Sequence, residues 1–274
     1  MKNTVSTFLS MKQNGERLTE ITSYDYTTAK LVEKAGINAI LVGDSLGMTM
    51  MGYDTTLPVT MEDMIHHGAA VARGAKNALV VVDMPFMSYQ SSVYDAVVNA
   101  GRLMKEARAN AVKLEGGVEV ADRIRAIVDC QIPVCAHIGL TPQGINALGG
   151  FKVQGKTADS ARKLLEDAHA VEEAGAFAVV LEAIPAELAE RVSAELTIPT
   201  IGIGAGAGCD GQVLVNQDML GMFHDFTPKF VRRFAEVGDV MLEAYRAYDA
   251  AVKDGTFPAA EHTYAAPAGV LENL

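Results

Sequence analysis

Apolar and polar positions along this chain switch repeatedly between two periods, and each switch marks a change of element. Short apolar runs that stop at a charged residue, glycine or proline suggest strands buried on both faces. They are Ile21–Tyr24, Asn38–Val42, Asn77–Asp83, Asn110–Glu115, Ile132–His137, Ala176–Glu182, Ile198–Gly202 and Gly211–Val215. Between them the period lengthens to that of a helix. Asp25 predicts an N-cap for a helix over Tyr26–Ala35, with Gly36 as its stop. Thr60-Met61-Glu62-Asp63 has the form of a capping box, and the helix behind it is predicted to reach about Arg73. Ser92 opens another, whose apolar face is Val93, Ala96, Val97, Ala100, Met104 and Ala107. Ile124 and Ile127 mark the next helix, Leu164, Ala168 and Val171 the one after, and Leu188, Val192 and Leu196 the one behind Pro185. Thr227-Pro228 predicts the start of a last helix to about Ala250. Residues 1–18 are polar and predict a segment crossing the surface or the bottom of the fold.

Strands alternating with helices imply βαβ units and a parallel sheet. A closed (β/α)8 TIM barrel needs about 250 residues, and the chain has 274. The α/β expectation is therefore a single barrel domain over 1–274, with a short N-terminal segment and an extended tail from about residue 255. An open doubly wound sheet is the competing arrangement.

Composition narrows the chemistry. A net charge of −11 disfavours nucleic acid and anionic membranes as partners. Cys130, Cys135 and Cys209 are odd in number and lack CxxC spacing, which points away from disulfides and zinc knuckles. The N-terminus has no apolar stretch resembling a signal peptide, and no apolar run is long enough to span a membrane. A cytoplasmic protein is the expectation.

Asp44, Asp83, Glu115 and Glu182 each end an apolar run, at the strand end where a barrel carries its active site. Alone, any of them could simply cap the following helix. Together, converging carboxylates repel unless a cation neutralises them, and oxygen ligands with open positions suit Mg²⁺. Lys113 lies two residues before Glu115 and shares its face, where an ammonium can hold a substrate carboxylate or a developing enolate. His137 ends the fifth run and is placed to contact ligand, and Ser45 can donate to a substrate carboxylate. The run Gly202–Gly208 fails the GxGxxG pattern; it is either a phosphate cradle or a wide turn over the site. His66 and His67 point different ways on a helix and are taken as surface or packing residues.

Several blocks then stand in a specific order: Leu41-Val42-Gly43-Asp44-Ser45, Asp83-Met84-Pro85-Phe86, Val112–Gly117, His137–Gln143, Ile201–Gly206 and Asp210-Gly211-Gln212. In these the chain resembles the ketopantoate (3-methyl-2-oxobutanoate) hydroxymethyltransferase family, from about Tyr24 to the helix after Pro228. The resemblance implies a TIM barrel that uses Mg²⁺ and 5,10-methylenetetrahydrofolate to hydroxymethylate a small 2-oxo acid in pantothenate biosynthesis. It implies Asp44, Asp83 and Glu115 as metal positions, and Asp44, Ser45, Asp83, Lys113 and His137 as substrate positions. Glu182 matches the general base. A homo-oligomer, often a homodecamer, is implied as well. The nearest rival is a Mg²⁺ carbon–carbon or carbon–phosphorus lyase on a similar barrel, but the Lys-Lys-Cys-Gly-His loop typical of those enzymes is missing from this sequence. A non-catalytic 2-oxo acid sensor is the rival from another class, and the intact set of acids with Lys113 argues against it.

Overall fold

In the computed structural model of the chain, residues 2–223 and 227–272 are described. Among them, eight parallel strands close into a barrel in chain order, which settles the fold as a closed barrel rather than an open sheet. They are β1 (Leu18–Thr22), β2 (Ala39–Val42), β3 (Leu79–Asp83) and β4 (Ala111–Glu115). β5 (Val134–Gly139), β6 (Ala178–Glu182), β7 (Thr200–Ile203) and β8 (Gly211–Leu214) complete the ring. Closure comes from β8 pairing in parallel with β1, Gly211 opposite Leu18 and Val213 opposite Glu20.

The strands are apolar on both sides because one side meets the barrel interior and the other the surrounding helices. The N-terminal half of the interior is filled by Leu18, Ala39, Leu41, Leu79, Val81, Ala111, Cys135, Ala178, Val180, Ile201 and Val213. Phe8 and Phe177 close this end, edge to face with ring centroids 6.0 Å apart. Phe8 comes from a helix over Val5–Gln13 that the polar segment 1–18 did not announce. Its single buried residue is too little to set a period. Thr4 starts it, accepting from the Thr7 backbone in a reciprocal capping box.

The other helix starts follow the local chemistry. Asp25 accepts from Thr28 N at 2.8 Å, and Gly36 ends that helix in the left-handed region, at φ 80. Thr60 and Asp63 form the expected box before the helix Met61–Gly74. Three expectations shift. β1 begins at Leu18, upstream of the Ile21 start, because its alternation is interrupted by Glu20. The segment after β5, where the glycine-rich stretch Gly139–Gly155 predicts a long loop, contains a 3-10 turn, Pro142–Gly144, and a short helix, Ile145–Leu148. The last helix spans Val237–Asp254, and Pro228 instead opens a turn closed by Val231 N donating to its carbonyl at 3.0 Å.

By its contacts the chain groups into two compact units, Met1–Asn216 with Pro228–Val231, and Gln217–Thr227 with Arg232–Leu274. In the second, Phe234 N and Val237 N donate to the carbonyls of Met219 and Leu220, each at 2.8 Å. Its helix Val237–Asp254 buries none of its residues, leaving Val240, Leu242, Tyr245, Tyr248 and Val252 exposed. Beyond Gly255 the expected tail carries one 3-10 turn, Ala260–His262; its last residues, 273 and 274, lie outside the described residues. No helix among the described residues is long and apolar enough to cross a membrane.

Candidate active site

The same strands that fill the lower barrel with apolar side chains end in ionisable ones two or four residues later. The register aligns Asp83 on β3 with Lys113 on β4, and Glu115 on β4 with His137 on β5. Glu182 on β6 stands opposite Gly139. Gly139 sits at φ 96, and a Cβ there would lie 2.3 Å from the Glu182 carbonyl oxygen. Only glycine lets β5 turn away this close to β6, and Leu140 N then donates to that carbonyl at 2.8 Å.

Lys113 is the hub. Its ammonium is 3.0 Å from Asp83 Oδ1 and 3.2 Å from His137 Nδ1. An ammonium has only hydrogens to offer, so His137 Nδ1 accepts and the ring proton lies on Nε2. From there it is 2.9 Å from the Leu140 carbonyl and 3.2 Å from Glu182 Oε2. Burial alone would pull the Lys113 pKa down, but the charges of Asp83, Glu115 and Asp44 outweigh it and hold the side chain firmly protonated.

One cation does not balance the carboxylates. Burial, reinforced by the charge of Asp83, pushes the Asp44 carboxyl up to about 7 against the pull of Lys113 and a hydrogen bond from Gln143. Burial and the Asp44 charge likewise push Glu115 well above the carboxylate range. Asp83 Oδ2 accepts from the Asp44 backbone N at 3.0 Å, which ties the ends of β2 and β3 together. A dry centre with surplus negative charge and hard oxygen donors is what a divalent cation of the Mg²⁺ type would relieve. Among the described residues no three His, Cys, Asp or Glu side chains form a ready-made chelating cluster. Mg²⁺ is usually held by one or two carboxylates with water and substrate oxygens completing its shell. The residues fit an ion bound in that way.

The remaining expectations fall around this centre. Ser45 follows Asp44 directly, and its Oγ shares a hydrogen bond with Tyr24 OH at 2.9 Å. Glu182 is the most open of the four acids, its side chain 15% exposed against 3% for Asp83 and Glu115. Of the run Gly202–Gly208, Gly202 and Ile203 end β7 and the rest is a close-packed turn: Cβ atoms on Gly206 and Gly208 would strike Ala186 and Glu190 of the neighbouring helix. His66 is exposed, while His67 is half-buried and its Nδ1 lies 2.7 Å from the Tyr24 carbonyl.

Four residues at or beneath the site escaped the sequence reading of roles: Glu20, Tyr24, Tyr89 and Gln143, all buried. Tyr24 closes the run Ile21–Tyr24 with an aromatic rather than an acid, and Tyr89 sits in an irregular segment with no period. Gln143 stands in a motif that drew attention for its resemblance, not its chemistry. Glu20 lay just outside the expected strand.

The profile of the ketopantoate hydroxymethyltransferase family matches residues 2–260. A 3-methyl-2-oxobutanoate hydroxymethyltransferase of Clostridium novyi (strain NT) is 66% identical over 274 residues, covering 100% of both chains. The enzyme of the same name from Enterococcus faecalis is 64% identical, again over 100% of both. Among solved structures, a phosphonopyruvate hydrolase superposes with a TM-score of 0.63 at 14% identity, covering 98% of this chain and 94% of that one. A 2,3-dimethylmalate lyase of the PEP mutase/isocitrate lyase superfamily gives 0.61 at 17%, covering 96% and 89%. Those structures share the fold. The family profile and the full-length relatives reach further, and by them the chain belongs to the ketopantoate hydroxymethyltransferase family.

Proposed function

We infer that this chain transfers a one-carbon unit from 5,10-methylenetetrahydrofolate to 3-methyl-2-oxobutanoate, giving 2-dehydropantoate for pantothenate biosynthesis. The name shared by its full-length relatives supports the reaction. The observation that carries it is the convergence of Asp44, Asp83 and Glu115 around buried Lys113, with Glu182 at the open edge.

When bound, Mg²⁺ supplies a Lewis acid for the keto and carboxylate oxygens of a 2-oxo acid. Asp44, Asp83 and Glu115 are the residues that would hold it, one or two of them directly and the remainder through water. The Lys113 ammonium offsets negative charge growing on the substrate oxygens, in a site dry enough for that charge to count. Ser45 orients the substrate carboxylate, with Tyr24 fixing its hydroxyl. Glu182 removes the proton on C3, and His137 aims its carboxylate. The C3 carbon then bonds the methylene, both methylene–nitrogen bonds of the folate break, water provides the new hydroxyl, and the proton from C3 and one from water end on the two folate nitrogens. Glu182→Gln should abolish exchange of the C3 proton in deuterated water, followed by NMR without folate, by about 10²–10⁴-fold. Exchange at the original rate would remove Glu182 as the base.

The exposed apolar side chains of the Val237–Asp254 helix support a homo-oligomer. Sedimentation of Tyr245→Glu/Tyr248→Glu should show a smaller species than the parent, and an unchanged mass would place the interface elsewhere.

A further inference from the structure

Gln143 is the most heavily committed side chain in the upper barrel, and nothing in the reaction above uses it. It sits in the 3-10 turn Pro142–Gly144 and is 5% exposed. Its Nε2 donates to Asp44 Oδ2 and to the Met84 carbonyl, both at 2.9 Å. Its Oε1 accepts from Tyr89 OH at 2.7 Å and from Gln90 Nε2 at 3.0 Å. Both hydrogens and both lone pairs of the amide are therefore taken. The orientation is not interchangeable: a flipped amide would aim its oxygen at the Met84 carbonyl, which cannot donate. The Gln143 backbone N adds a bond to Glu115 Oε2 at 3.0 Å. Tyr89 completes the frame, since its hydroxyl also accepts from Glu115 N and lies 3.0 Å from the Glu115 carbonyl.

One residue thus grips one oxygen from each of two carboxylates on different strands. Asp44 keeps Oδ1 free of it, and Glu115 keeps Oε1, which lies 3.8 Å from His137 Nδ1. A carboxylate pinned through one oxygen offers a cation its other oxygen, singly. Small octahedral Mg²⁺ accepts such single contacts and fills its shell with water, whereas Ca²⁺ gains from carboxylates that can turn to bind through both oxygens.

We propose that Gln143 is a positioning residue that selects for a small divalent cation, by holding Asp44 Oδ2 and Glu115 Oε2 away from it. The proposal rests on the Mg²⁺ reading of the site. Its side-chain arm acts on Asp44 alone, because the bond to Glu115 comes from the backbone and survives substitution. Gln143→Met keeps the length and apolar volume of the side chain but frees Asp44 to rotate. Tyr89→Phe keeps the ring and removes only the hydroxyl that fixes the amide.

The experiment is isothermal titration of the full chain with Mg²⁺ and, separately, Ca²⁺, without substrates, for the parent, Gln143→Met and Tyr89→Phe. Gln143→Met should weaken Mg²⁺ by about 10–100-fold, the usual effect of losing a partner behind a ligand. Ca²⁺ binding should hold or tighten, so the Mg²⁺-to-Ca²⁺ preference falls. Tyr89→Phe should shift the preference in the same direction by less, and it decides the matter if Gln143→Met fails to fold. Equal weakening of both cations would mark Gln143 as merely structural and overturn the proposal, as would an unchanged preference in a folded variant. A parent chain that binds neither cation would overturn the Mg²⁺ reading and this inference with it. A parent that binds Mg²⁺ beside variants with unaltered preference would defeat this inference alone.

Discussion

The barrel interior has two halves built from the same strands. Below, Val81, Ala111, Cys135 and Val180 pack into an apolar plug closed by Phe8 and Phe177. Above, on the same faces two residues further on, stand Asp83, Lys113, His137 and Glu182. The plug gains from burial at every position, whereas the upper ring loses from burial at nearly every one and survives by pairing charges. The lower half supplies stability and the upper half holds poised charge. The two differ in what a single substitution should do.

The largest effect belongs to the hub of the upper half. Lys113→Met keeps the volume but leaves Asp83, Glu115 and Asp44 without their cation. Activity should fall by about 10²–10³-fold from the lost charge stabilisation. Breaking a buried pair from one side should also cost about 3–5 kcal/mol of stability, read by urea unfolding. A variant that keeps its activity would show that Lys113 serves only as a counter-ion for folding.

The plug should show the opposite signature. Phe8→Ala removes a ring that is 1% exposed and edge to face with Phe177. It should cost about 3–5 kcal/mol in unfolding free energy. Below the melting transition kcat and KM should stay at parental values, because Phe8 lies at the opposite end of the barrel from the acids. A lower kcat in folded Phe8→Ala would mean that the two halves are mechanically coupled and the division is wrong.

The upper half was the more legible half in the sequence. An Asp or Glu that terminates an apolar run is conspicuous, and the barrel topology dictates that such ends meet. Asp44, Asp83, Glu115 and Glu182 stand out as candidates this way, and Lys113 by its parity with Glu115. Gln143 and Tyr89 were not, because a neutral polar side chain in an irregular loop breaks no pattern. Their roles depend on which strand ends the loops fold over. The Val5–Gln13 helix hid for the converse reason: one buried phenylalanine makes no stripe. Glu20 hid in the middle of β1, one residue before the expected Ile21 start, where alternation cannot tell a carboxylate facing the interior from one facing water.

Glu20 is also the residue that breaks the division between the halves. It shares a face with Leu18, and the register sets it beside Ala39 and Val213, both members of the plug. It is 6% exposed, and its Oε2 has no hydrogen-bond partner among the described residues. Burial raises its pKa from 4.5 to about 7, with Lys113 opposing and Asp83 adding to the rise. Between those two values the folded chain keeps the proton that the unfolded chain has already released. Stability therefore falls as pH rises through this window, and levels off above about 7. The full cost is at most about 3 kcal/mol. Glu20→Gln, neutral at every pH, should flatten that part of the profile and raise the melting temperature at alkaline pH by a few degrees. Thermal unfolding of parent and variant in chelator, from about pH 5 to pH 9, reads the difference directly. A parallel pair of profiles would mean that Glu20 is compensated in the fold. A large loss of activity in Glu20→Gln would move the residue from the plug into the reacting half, and shift the boundary between the two down by one layer.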